Sequence, residues 1–424
     1  MLDIKFIRDN VDAVKTAIQN KRVNLNLDEL LHIDGQVLEL KKKLQALSEE
    51  KNANAKKVPK ATPEERPGLI ERGRAIGIEI SKMEPDVAVK EEELKKLLWL
   101  TPMVPAPNVP IGRDDSENVE RRKVGTPPEF PFAFKDHVDV ILKNNWAEFE
   151  RMAAVSGSRM IALKNELALY EFAVIRFAMD FLAKKGSTVI TVPAMVREAA
   201  LYGTGHFPAG RDQVYYLPDD DLYLSGTAEV PLTSLHSGEI LNEADLPMRY
   251  GAFSPCFRRE AGSAGKDVRG LMRVHQFNKV EQFAFVRNDV AESDHWHKEL
   301  LRTSEEICQA FELPYRVIEV CTGDMGAGKY RMHDIECWVP SEKRYRETHS
   351  CSSLHDWQAR RANLRYRDKD DKVKFIHTLN NTAVATPRIL IPLLENHQLE
   401  NGAVKIPKAL QPYMGGLDRI GGKG

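Results

Sequence analysis

The sequence predicts an α+β protein. Its body is an antiparallel sheet flanked by helices, preceded by an N-terminal antiparallel coiled-coil hairpin. Three observations carry this. Two heptad runs flank a proline-punctuated turn early in the chain. A proline-dense stretch follows them. Beyond it, runs rich in β-branched and aromatic residues mix with helical patterns without regular βα alternation. With 424 residues the chain has room for more than one domain. We expect an N-terminal helical domain at 1–100, a linker at 101–115 and a larger domain at 116–424.

The opening "MLDIKFIRDNVDAVKTAIQNKR" is charged from its third residue and has no apolar core, so it does not read as a signal peptide. No run of about 18 apolar residues appears, and no membrane span is expected. The five cysteines are odd in number and form no C-x-x-C pair. Free thiols in a reducing compartment, the cytoplasm, are the expectation.

The first heptad run is Leu30, Ile33, Val37, Leu40, Leu44 and Leu47. The second is Leu69, Gly73, Ile76, Ile80, Met83, Val87, Lys90, Leu94 and Leu97. Spacings of three and four make these the seam of a coiled coil. Pro59, Pro63 and Pro67 between them mark a turn, so the helices fold back as a hairpin. Helices of roughly 25 residues span about 38 Å. Pro85 falls inside the returning helix, where we expect a bend. From Lys41 to Arg74 ten Lys or Arg face five Glu. The whole chain has a net charge of −1, so any attraction to nucleic acid must be local. This basic tip is either a solvated helix face or a surface for a phosphate backbone.

"TPMVPAPNVPIG" reads as the linker. After it come a long helical pattern, "NELALYEFAVIRFAMDFLAKKG", and strand-like runs such as "STVITVPAMV", "VYYLPDDDLYL", "YRVIEVCTG" and "HDIECWVP".

Two motif-like stretches are rejected. "GDMGAGKY" nearly spells a phosphate-binding loop, but Tyr330 stands where a Ser or Thr is needed, and a strand-like run follows instead of a helix. "GTGHFPAG" has the wrong spacing for a dinucleotide fingerprint. His349, Cys351 and His355 lack the second Cys/His pair that a zinc site needs.

"FRREAGSAGKDVRGLMRVHQFNKVE", 257–281, is the most informative stretch. Read as two strands, it puts Arg258 and Glu260 on one face. Arg273, His275, Phe277, Lys279, Glu281 and Phe283 likewise share a face. Gly262, Gly265 and Gly270 allow the connecting loop to approach a ligand. Arginines for phosphates and an aromatic ring for a base suit a nucleotide, and a charged outer hairpin is the other reading. Glu347 and Ser350 in "YRETHSCSS" offer oxygens to a hard cation. Arg388 opens an apolar helix.

These residues resemble a family. "FRRE" and "ATPRILIPLLE" look like motifs 2 and 3 of class II aminoacyl-tRNA synthetases, and the helix from Leu167 with the strand ending at Pro193 looks like motif 1, their dimer contact. "LYLSGTAEV", "RYRETHSCSS", "QARRANLRYR", "HTLNNTA" and "IPKALQPYMGG", together with the arm, resemble the bacterial seryl-tRNA synthetases over essentially the whole chain. The resemblance implies ATP, Mg2+, L-serine and tRNA(Ser), with tRNA(Sec) as a further acceptor, a homodimer and a cytoplasmic enzyme.

It also implies roles. Arg258, Glu260 and Arg388 would be catalytic. ATP would meet Arg258, Arg259, Glu260, Arg273, Val274, Phe277, Arg388 and the run Glu347, Thr348, His349 and Ser350. Phe277 would stack on adenine, and Arg273 and Arg388 would hold the outer phosphates. Glu347 and Ser350 would hold Mg2+. Thr227, Ala228, Glu229 and Arg258 would line the serine pocket, and Glu281 and Thr382 would meet the serine hydroxyl. Lys51, Lys56, Lys57 and Lys60 are tRNA-binding candidates by charge and position. Arg259 departs from the family, which usually has serine there, and is expected to point off the nucleotide face. Two other readings share parts of this sequence. One is a ligase loading carrier proteins, whose relatives lack the arm. The other is a scaffold without catalysis, which would not need Arg258, Glu260, Glu347 and Arg388.

Overall fold

The computed structural model describes residues 1–262 and 269–422. Gly265 therefore lies outside the described residues. The chain forms two compact units, Met1–Thr101 and Pro102–Gly424.

The first unit is helical. Helices α1 (Ile4–Asp9) and α2 (Val11–Asn20) precede the long pair α3 (Leu27–Lys57) and α4 (Arg66–Leu100). Asp3 and Asn26 cap α1 and α3 by accepting from backbone N–H groups of the first turn. The seam follows the heptads. Leu30, Val37, Ile76, Val87 and Leu94 are buried, and the other predicted seam positions are half-buried. Cross-links fix the antiparallel register: Lys41 pairs with Glu91, Arg72 with Glu50 (2.6 Å), and Asn54 Nδ2 donates to the Leu69 carbonyl (2.6 Å). At 31 and 35 residues the helices exceed the expected length. Helix α4 runs through Pro85 without a break, because Val87 and Leu94 beyond it stay in the seam. Lys51, Lys56, Lys57 and Lys60 are all exposed.

The second unit is built on an eight-stranded sheet. In chain order its strands are β1 (Val119–Val124), β2 (Thr188–Thr191), β3 (Met248–Phe257), β4 (Gln276–Val286), β5 (Tyr315–Glu319), β6 (Arg331–Val339), β7 (Arg344–His355) and β8 (His377–Thr386). Their spatial order is β1-β5-β6-β7-β8-β4-β3-β2. Every pairing is antiparallel except β2 with β3. The helices that matter here are α5 (Asn165–Lys184), α6 (Glu198–Thr204), α7 (Glu229–Ser234), α8 (Val290–Ala310), α9 (Trp357–Ala362) and α10 (Leu390–Asn396). Helix α5 buries Leu167, Tyr170, Val174, Phe177 and Leu182 in the main core, one apolar stripe at helical spacing. The proline-dense stretch packs locally, with Ala106 and Val109 buried beside Val320 and Met325.

Strand β4 shows how the sheet makes both core and site. Val280, Ala284 and Val286 face the main core under α5 and α8. Phe277, Lys279 and Glu281 face the opposite way into a cleft, and further along that face Phe283 and Phe285 enter a second core cluster. A register shift between Val280 and Glu281 against β8 sets Glu281 directly opposite Thr382.

Candidate active site

The cleft opens over the face of β4 and β8 and has a volume of about 270 Å³. Most residues expected in the site line it. Strand β4 supplies Phe277 and Glu281, β7 supplies Glu347, Thr348 and Ser350, and β8 supplies Thr382. Thr227 and Glu229 come from the start of α7, and Arg258, Glu260, Arg273, Val274 and Arg388 from chain ends beyond the strands.

Three expected residues do not line the cleft. Ala228 is fully buried in the second core cluster, beneath Thr227 and Glu229. His349 is buried behind Thr348, whose Oγ1 lies 2.8 Å from His349 Nδ1. Arg259 is exposed and lies over the Tyr215 ring at 5.8 Å, and its backbone N–H donates to the Gln213 carbonyl.

Strand alternation explains only part of the floor. Strand β3 ends at Phe257, so Arg258 and Glu260 lie past it, with Glu260 in a left-handed conformation at φ 51. Strand β4 starts at Gln276, so Arg273 and His275 precede it. His275 does not share the cleft face, because its Nδ1 is tied to the Arg258 carbonyl (2.9 Å). Phe283 sits in the second core and not in the cleft.

Arg273 and Arg388 have carboxylate neighbours. Arg273 Nη1 donates to Glu260 Oε2 (2.6 Å). The Arg258 guanidinium lies 5.2 Å from the Phe277 ring centre. Arg388 donates to the Met272 carbonyl (3.3 Å) and reaches Glu347 at 3.3–3.5 Å. Gly226 lets Arg258 approach, since a Cβ there would stand 3.1 Å from Arg258 Cγ.

The cleft floor is polar and buried. Lys279 forms an ion pair with Glu281, and its Nζ donates to Thr227 Oγ1 (2.7 Å). Both side chains are nearly sealed from solvent. Burial pushes the Glu281 carboxyl above its ordinary range, and Lys279 opposes that shift.

Glu347 and Ser350 present a carboxylate and a hydroxyl, hard oxygens suited to Mg2+. Behind them Asp334 is buried opposite Ser350 across β6 and β7 and hydrogen-bonds its hydroxyl. No cluster of three His, Cys, Asp or Glu side chains able to hold a metal occurs among the described residues. Glu347 and Ser350 would suit a cation that takes its other ligands from outside the protein, and not one caged by protein alone.

Several lining residues were not foreseen: His206, Lys279, Lys329 and Asn380 among them. His206 and Lys329 come from the two rejected motif-like stretches. After "GDMGAGKY" the chain runs straight into β6. Trp357 brings both residues to the site. A Cβ on Gly205 would meet its ring at 2.3 Å, and one on Gly328 at 2.5 Å. Lys279 was visible in the alternating pattern of its strand, although no role was drawn for it.

A cleft of this kind on an antiparallel sheet defines a class II aminoacyl-tRNA synthetase. The family model "tRNA synthetase class II core domain (G, H, P, S and T)" matches residues 215–397, and "Seryl-tRNA synthetase N-terminal domain" matches residues 1–105. The serine–tRNA ligase of Deinococcus radiodurans is 54% identical over 421 residues, covering 99% of both chains. That of Treponema denticola is 41% identical, covering 99% of this chain and 100% of its own. The crystal structure of seryl-tRNA synthetase from Pyrococcus horikoshii complexed with ATP superposes with a TM-score of 0.93 at 40% identity, over 99% of each chain. The chain belongs to the serine–tRNA ligase family.

Proposed function

We propose that the cleft activates L-serine with ATP as seryl-adenylate, and that the helical arm holds the tRNA that receives the seryl group. One observation carries the serine reading: Glu281 and Thr382 stand opposite each other at the buried floor of an arginine- and phenylalanine-lined cleft. A serine carboxylate oxygen attacks the ATP α-phosphorus, forming the acyl–phosphate bond as the bond to pyrophosphate breaks. The terminal ribose hydroxyl of the tRNA then attacks the carbonyl, and AMP leaves. No protein nucleophile is required, and positioning and charge supply the acceleration.

Arg258 is assigned to the α-phosphate and the serine carboxylate, and Phe277 to the adenine face. Val274 lies along the nucleotide, and Arg273 and Arg388 take the outer phosphates. Glu260 orients the adenylate end of ATP and holds Arg273. Mg2+, held by Glu347 and Ser350, would neutralise phosphate charge as pyrophosphate departs. Glu229 takes the serine ammonium, Thr227 lines the same pocket, and Glu281 and Thr382 meet the serine hydroxyl. Thr348 completes the ATP wall, while Ala228 and His349 back their neighbours from the core. A pocket built to bond a hydroxyl rejects the analogue lacking it by about 10⁴–10⁵-fold.

Lys51, Lys56, Lys57 and Lys60 are the arm's candidate phosphate contacts, in a domain spanning 1–100, with 101–115 joining it to the body. An arm that reads the shape of a long variable arm, and not an anticodon, would also accept tRNA(Sec). Leu169 and Phe172, exposed one helical turn apart on α5, support a homodimer through that helix. A cytoplasmic location suits the five buried free thiols.

The test is ATP–pyrophosphate exchange with each amino acid in turn, without tRNA. Exchange dependent on serine, and weak with alanine and threonine, is expected. Exchange with none would overturn the adenylation reading, and exchange with another amino acid would overturn the pocket assignment alone.

A further inference from the structure

Beneath Glu229 lies Gln358, a side chain with no solvent exposure on helix α9. Its Nε2 donates to Glu229 Oε1 (2.7 Å) and to the Thr204 carbonyl (3.2 Å). Its Oε1 accepts from Thr378 Oγ1 (2.7 Å), a buried hydroxyl on β8. An amide has one donor end and one acceptor end. A backbone carbonyl can only accept, so Thr204 requires the amide nitrogen on its own side, which is also the side of Glu229. Gln358 is therefore held in one orientation from both ends. Glu229 receives a hydrogen bond on one oxygen, and its second oxygen has no hydrogen-bond partner among the described residues.

The neighbouring hydroxyl is arranged in the same sense. Thr227 Oγ1 accepts from Lys279 Nζ (2.7 Å) and from the Glu229 backbone N–H (3.1 Å). A hydroxyl has two acceptor positions and one proton. With both positions taken, Thr227 is left to donate into the cleft that it lines. Next to the acceptor Glu229 this makes a matched pair, one donor and one acceptor, suited to the carboxylate and the ammonium of an α-amino acid.

We propose that Gln358 is a positioning residue for the substrate ammonium: it fixes the Glu229 carboxylate so that the free oxygen faces the cleft. This rests on the reading of the cleft as an amino-acid pocket. Gln358 touches neither the serine hydroxyl subsite at Glu281 and Thr382 nor the ATP wall. Its effect falls on what all α-amino acids share.

The experiment is amino-acid-dependent pyrophosphate exchange with full-length Gln358→Met, which keeps length and removes the donor. A hydrogen bond to a charged group sets the size, and the serine KM should rise about ten- to a hundredfold. The ATP KM should stay within about twofold and the serine-to-alanine preference should not change, because alanine carries the same ammonium. Glu281→Ala is the contrast, since it should change that preference. A folded Gln358→Met enzyme with an unchanged serine KM overturns the inference. So does a rise in ATP KM by the same factor, which marks a general structural role. If Gln358→Met does not fold, Gln358→Asn keeps an amide but is one methylene too short to reach Glu229, and an unchanged serine KM there overturns the inference equally. Wild-type protein that fails to exchange with serine takes down the pocket reading along with the inference. Serine exchange by wild type with an unaffected variant takes down the inference alone.

Discussion

Lys279 and Glu281 are two opposite charges on one face of β4, almost sealed from solvent and two residues apart. Burial disfavours the charged form of each, and their pairing offsets that cost. Removing one partner leaves the other uncompensated. Lys279→Met is expected to cost about 3–5 kcal/mol in stability. Adding Glu281→Gln should recover most of it, since the orphaned charge is then gone. Urea unfolding of the two single variants and the double variant measures this, and a double variant no more stable than Lys279→Met would refute the pairing argument. The cleft lining was largely legible at this scale, because Arg258, Glu260, Glu281, Glu347 and Arg388 each announce themselves by type and motif. Gln358 did not. The glutamine of "DWQARR" belongs to a stretch that marks the family, but no role for it is visible until packing sets it against Glu229.

At the scale of elements, α3 and α4 form a closed seam with exposed lysines near their turn. The seam satisfies its own apolar residues, and the body has its own core, so deleting the hairpin should leave that core intact. Excision of residues 30–97 with a short linker is expected to leave serine-dependent pyrophosphate exchange within a few-fold and to abolish charging of tRNA(Ser). Charging that survives the deletion would remove the arm from tRNA binding. In the intact enzyme, tRNA affinity should fall steeply with salt if the lysines contact phosphates. The hairpin was legible because coiled-coil periodicity is local, repeating every seven residues. Helix α9 is six residues long and has no such pattern. Its importance arises from what Trp357 and Gln358 touch, namely Gly205, Gly328 and Glu229.

Across the whole catalytic body, burial holds several histidines neutral. Desolvation pulls His349 and His377 down to about 4 and His355 to about 3. A histidine in the unfolded chain titrates near 6.5. Below that pH the unfolded chain takes up protons that the folded chain refuses. Each such histidine therefore withdraws stability as pH falls from about 6.5 towards its folded value. Between pH 7 and 5 the loss is roughly 2 kcal/mol for His355. His355→Asn suits the left-handed backbone there, at φ 47, and removes the titrating group. The variant should lose less stability than wild type between pH 7 and 5 by roughly that amount. Equal losses in urea unfolding at the two pH values would refute the assignment.

The sequence by itself determined the fold class, the coiled-coil arm and most of the residue types that line the cleft. These depend on heptad spacing, strand composition and short motifs, all properties of neighbouring residues. Tertiary structure alone decided the cleft floor and its supports. The register shift that sets Glu281 opposite Thr382 joins strands about a hundred residues apart. His206 and Lys329 enter the cleft because glycines let their loops close on Trp357. Gln358 acts through contacts to residues 129 and 154 positions away. Such contacts form only when distant segments exclude water together, so no periodicity or motif encodes them in the linear chain.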